Sequence, residues 1–83
     1  MAKKVNDPGK RVTTIWMFIS IDADGDEGVV AYQGPGGHWI PMVASDEHRV
    51  GILRPIAQRI AATTGTIIRL VRFDGGHTVE TLG

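Results

Sequence analysis

Two segments of this chain are apolar at successive positions of both parities, and a longer stretch between them is apolar at helical spacing. In residues 13–21, Ile15, Met17, Ile19 and Ile21 fall on one side of an extended chain and Trp16 and Phe18 on the other. Residues 66–73 repeat the pattern with Ile67, Ile68, Leu70, Val71 and Phe73. A strand apolar on both faces belongs inside a sheet, so the first strand is placed at its centre. Residues 28–32, Gly-Val-Val-Ala-Tyr, predict a second strand, and Gly34-Pro35-Gly36-Gly37 a turn into a third over residues 38–43. Pro41 lacks a ladder donor, which assigns that third strand to an edge.

The period then changes. Val50, Leu53, Ile56, Ala57, Ile60 and Ala61 recur at helical spacing, with Ser45 as the expected N-cap, acids in the first turn, and Gly65 as the stop. Pro55 removes a hydrogen bond to Gly51 and crowds its carbonyl, so a kink near Pro55, or a break into two shorter helices, is expected.

The order β-β-β-α-β predicts an α+β fold: a four-stranded, mainly antiparallel sheet of order 3-2-1-4 with one helix on one face. In this arrangement a meander sets the third strand parallel to the first, and a right-handed helical crossover returns the last strand beside the first. Residues 1–10 are expected to form a flexible basic arm, residues 11–74 a single domain, and residues 75–83 a tail or short edge strand. One helix covers one face only, so a sheet face is left open.

Composition narrows the chemistry. The chain has 83 residues and no cysteine, which excludes disulfides, thiolate zinc sites and cysteine nucleophiles. A chain of this length makes one domain with a small core. It shows no signal-peptide pattern, and the apolar run over residues 15–21 is too short to span a bilayer, so a cytoplasmic protein with no membrane partner is expected. Nine basic side chains balance nine acidic ones, so net charge does not argue for nucleic acid. The distribution is uneven. Lys3, Lys4, Lys10 and Arg11 crowd the start, and Arg69 and Arg72 lie near the end. With Trp16 or Phe18 to stack bases, these cations form a candidate nucleic-acid surface.

Four carboxylates stand in the six positions Asp22-Ala23-Asp24-Gly25-Asp26-Glu27. Asp22, Asp24 and Asp26 match places one, three and five of a calcium loop, but Glu27 takes the place of its glycine and Gln33 that of its bidentate glutamate. Asp at the first and Gly at the fourth place is instead the signature of a type I turn. The expected topology also gathers the ends of the first and last strands and the start of the helix at one pole. That pole would hold Asp22, Asp24, Asp26, Asp46 and Asp74, with Glu27, Glu47, His48 and His77 nearby. Such oxygen donors suit Mg²⁺, Mn²⁺ or Ca²⁺, and a metal-dependent site for a phosphorylated or nucleotide substrate is the alternative reading. No serine, histidine and acid order of a hydrolase is visible, and Gly34-Pro35-Gly36-Gly37 lacks the lysine and following helix of a phosphate loop.

The layout resembles the N-terminal domain of HicB-type antitoxins, a partial ribonuclease-H-like β-β-β-α-β fold. The similar pieces are the turn Asp22-Ala23-Asp24-Gly25, the strand Val29-Val30-Ala31-Tyr32, the Pro35-Gly36 turn, and Ser45-Asp46-Glu47 opening the helix, within residues 15–62. The resemblance implies a non-catalytic, oligomeric binder of a toxin ribonuclease. The residues themselves point the same way: the expected function is a small protein-interaction module, antitoxin- or inhibitor-like and without a cofactor. Its partner is a protein or a second copy in a homodimer, met through an open apolar sheet face carrying Trp16, Phe18, Val71 and Phe73 or their opposite-parity neighbours.

Overall fold

The computed structural model describes residues 11–83; the expected basic arm, with Lys3, Lys4 and Lys10, lies outside them. The elements are β1 (Thr14–Ile21), β2 (Glu27–Val29), β3 (Ala31–Gln33), β4 (Trp39–Pro41), β5 (Val43–Ala44), α1 (Glu47–Thr64) and β6 (Ile67–Asp74). Residues 75–83 belong to neither helix nor strand. The fold is α+β, with one helix and a mainly antiparallel four-stranded sheet in which β1 is central.

β1 pairs along its whole length with β6, from Thr14 opposite Asp74 to Ile21 opposite Ile67. Its other edge is shared. Ile19–Ile21 pair with β2, and Trp16 and Met17 pair with β5. Between these two short strands the chain leaves the sheet as the hairpin β3–β4, closed by Tyr32 opposite Ile40 and by a tight turn at Pro35–Gly37. The expected second and third strands are therefore each divided, at Val30 and at Met42.

The division has a definite hydrogen-bond basis. The N–H of Phe18 donates to the carbonyl of Met42 (3.1 Å), that of Met42 to Val30 (2.7 Å), and that of Val30 to Phe18 (2.9 Å). Three backbones thus close a ring and satisfy one another where regular pairing stops, which a buried junction requires. Phe18, Val30 and Met42 are all buried.

Because the hairpin swings out, the returning chain lands beside β1 rather than beside the second strand. β5 therefore runs antiparallel to β1, as does β6, whereas the meander expected a third strand parallel to the first. Strand β5, helix α1 and strand β6 form the crossover, with β1 between its two strands.

α1 runs unbroken through Pro55, so of the two outcomes expected there, a kink or a break, the break into two helices does not occur. It starts one residue later than its anticipated cap. Asp46, in extended conformation, accepts from the Arg49 N–H at 2.8 Å, whereas the Ser45 hydroxyl is buried without a partner. Gly65, at φ 71°, ends the helix and donates its N–H to the Ala61 carbonyl. The buried face of α1 carries Val50, Leu53 and Ala57, which meet Phe18, Val30, Met42 and Ala44, with half-buried Trp16, Tyr32, Ile56, Ile60 and Ile68 around them. Met42 and Leu53 are wholly buried. The core therefore lies between α1 and one face of the sheet. An Arg49 guanidinium to Tyr32 hydroxyl bond of 3.2 Å ties the helix to the outlying hairpin.

Candidate functional site

The acidic loop is organised by its own first residue. Asp22 Oδ1 accepts from the N–H groups of Asp24 (3.0 Å) and Asp26 (2.9 Å), the Gly25 N–H donates to the Asp22 carbonyl, and the Asp22 N–H donates to the Asp26 carbonyl. Gly25 has φ 86°, a conformation that L-residues rarely adopt. A turn closed from residue 22 to residue 25 with a left-handed glycine at its fourth place, spanned by the Asp22–Asp26 bond, is a three-residue hairpin loop with a bulge. The carboxylates of this loop are exposed, and the most committed of them is used in folding the turn.

The expected acidic pole is not assembled. Since β6 is antiparallel to β1, Asp74 stands beside Thr14, at the opposite end of an eight-residue strand from the loop. At ~3.4 Å per residue those ends are roughly 24 Å apart. Asp74 accepts from the Thr14 hydroxyl (3.0 Å) and from Arg72 Nε (3.1 Å), and Asp46 caps α1. Among the described residues no three histidine, aspartate or glutamate side chains converge on a possible metal position. Asp22, Asp24 and Asp26 are thus separated from Asp74, and the topology that would have united them is absent. His38, His48 and His77 are exposed.

The basic candidates within the described residues also diverge. Arg69 pairs across from Ile19 and Arg72 across from Trp16, so the two arginines stand on opposite faces of the sheet. Arg72 is engaged with Asp74, and Arg11 is exposed ahead of β1.

What the sheet does bring together is apolar. Cross-strand partners share a face, so the registers define complete rows. On the side away from α1, Val43, Met17 and Val71 form one row and Ile15 and Phe73 another. Val29, Ile19 and Arg69 form the third, and Glu27, Ile21 and Ile67 the fourth. Eight residues at ~3.4 Å and three strands at ~4.8 Å make this face roughly 27 by 14 Å. Among the described residues no helix or strand is stacked over it. Val29, Ile67 and Phe73 are exposed at 48%, 64% and 49%.

Of the four residues expected on an interaction face, Val71 and Phe73 lie on this open side of the sheet. Trp16 and Phe18 do not. They have the other parity of β1, and Phe18 is 4% exposed beneath α1. Their places are taken by Ile15, Met17, Ile19 and Ile21. The alternating pattern separates the two sets but carries no sign for which one the helix selects, and the pairing of odd β1 residues with odd β6 residues decides it.

A second feature was not visible in the sequence. Where β3–β4 leaves the sheet, an open cleft of about 580 Å³ remains between the hairpin and α1, lined by Tyr32, Pro35, Trp39, Ile56, Arg59 and Ile60 among others. Trp39 is 68% exposed at its rim. Its signal in the sequence, an aromatic residue beside Pro41 in an edge strand, does not reveal that the strand departs from the sheet.

No helix among the described residues is long and apolar enough to cross a membrane. Comparison of the chain with protein-family models, with curated proteins and with solved structures finds no match.

Proposed function

We propose that this protein is a small non-catalytic interaction module whose working surface is the open face of the sheet, met by a protein partner. The observation that carries the reading is the set of apolar rows centred on Met17 and Ile19, opposite the face that α1 covers. The largest apolar patch on a monomer is commonly ~300–600 Å² and is often functional, and this face is of that size. Among the described residues the carboxylates and arginines are dispersed and support neither a metal-dependent site nor a basic groove. An antitoxin or other small inhibitor acts in this manner, by covering a partner rather than transforming a substrate.

The test compares charge introduced on the two sides of the molecule. Val71→Lys together with Ile67→Lys, on the open face, is expected to abolish concentration-dependent mass in sedimentation and to reduce binding of an apolar fluorescent dye several-fold, with the circular dichroism spectrum unchanged. Ile52→Lys, exposed on α1, is expected to do neither. Mass and dye binding that survive the open-face change would overturn the reading.

A further inference from the structure

Charge on the open face is sparse and ordered. Of the positions in its registered rows, only Glu27 and Arg69 are charged, and both are exposed. They sit on the two strands that flank β1, Glu27 on β2 and Arg69 on β6, and their rows are two residues apart along β1, opposite Ile21 and Ile19.

From this we infer that the occupant of the open face is a second copy of this chain, packed face to face about a two-fold axis parallel to β1, with Arg69 of each copy on Glu27 of the other. The inference rests on the reading of that face as the working surface, and it names the partner and the geometry.

Symmetry selects the axis. Two sheets packed face to face stand ~10 Å apart with strand directions within about 30° of each other. An axis along β1 exchanges the flanks, so β6 of one copy lies over β2 of the other. Arg69 then stands above Val29 in the partner, one row from Glu27, within the reach of an arginine side chain. Both charges are paired, twice, by one operation. An axis across the strands instead lays β6 over β6 and brings like charges together, which disfavours it.

The alternative of joining two copies edge to edge along β6 leaves the apolar rows uncovered and doubles their extent. Face-to-face packing removes them from water. The face, roughly 27 by 14 Å, supplies about half of the roughly 800 Å² per partner that is usual for an isologous interface, and its polar rim would have to supply the rest.

The experiment is a charge exchange read by sedimentation equilibrium on the full chain. Arg69→Glu alone sets two acids against two acids, and Glu27→Arg alone sets two bases against two bases. Each is expected to weaken self-association at least tenfold, with the fold retained because both positions are exposed. Mixing the two single variants creates two attractive pairs per heterodimer, so the mixture is expected to recover an affinity within about threefold of the original protein. The double variant is expected to recover likewise.

Failure of the mixture to recover, while Val71→Lys still abolishes association, would overturn this arrangement and leave the open face as the working surface. Association that persists in Val71→Lys would overturn the face itself. A chain that stays monomeric up to millimolar concentration would overturn the second copy as occupant, and the dye-binding comparison would still judge the face.

Discussion

Phe18 and Phe73 stand on the two faces of one sheet. Phe18 is 4% exposed, enclosed by α1 and by the ring of backbone bonds that joins β1, Val30 and Met42. Phe73, paired across from Ile15, is 49% exposed on a face that no helix or strand among the described residues covers. The same side chain is enclosed in the core on one face and half open to water on the other. The difference follows from the number of helices available, since a single α1 buries one side of a sheet whose central strand is apolar on both.

The sharpest way to break that contrast is to truncate both phenylalanines. Phe18→Ala is expected to cost about 3–5 kcal/mol, enough to threaten folding of so small a domain. Phe73→Ala, measured in urea at a concentration where the chain is monomeric, is expected to cost less than about 1 kcal/mol. Similar losses at the two positions would mean that both faces are packed.

The faces are kept distinct by register, because a one-residue slip of β1 exchanges them. Asp22 holds the β1–β2 turn through two backbone N–H groups, so Asp22→Ala is expected to cost about 1–2 kcal/mol, and Asp24→Ala within about 0.5 kcal/mol. Chemical denaturation of the pair checks this, and equal effects would contradict the turn's dependence on Asp22.

The covering helix can be weakened or strengthened. Asp46→Ala removes the N-cap and is expected to cost about 1 kcal/mol, whereas Pro55→Ala restores a donor inside α1 and is expected to add about 1 kcal/mol. Thermal melts of both read the effect. The smallest change is expected at Ser45, whose hydroxyl has no partner: Ser45→Ala is expected to be neutral or slightly stabilising in the same melts.

Much of this contrast was legible in the chain. Parity along residues 13–21 separated Ile15, Met17, Ile19 and Ile21 from Trp16 and Phe18, and helical spacing selected Val50, Leu53 and Ala57, which are buried. The turn at Asp22-Ala23-Asp24-Gly25 and the stop at Gly65 follow from local chemistry, and both are observed. What was hidden is non-local. Nothing near Val30 or Met42 announces that a hairpin leaves the sheet between them, because the ring that stabilises the departure joins residues distant in sequence. That departure reverses the strand that precedes the helix, sets β6 antiparallel to β1, and carries Asp74 away from the acidic loop. The N-cap was missed by one residue for a simpler reason, since Ser45 and Asp46 are both good caps and the path of β5 chooses between them.

The most direct measurement is a dilution series of methyl NMR spectra from protein labelled at isoleucine, valine and methionine. The account predicts concentration-dependent shifts confined to the open face, at Met17, Ile19, Ile21, Val43 and Val71, with Ile56 and Ile60 beside the cleft unmoved. Shifts that centre on Ile56 and Ile60 instead, or a spectrum that does not change from millimolar to micromolar protein, would contradict a face that works by pairing with its own copy.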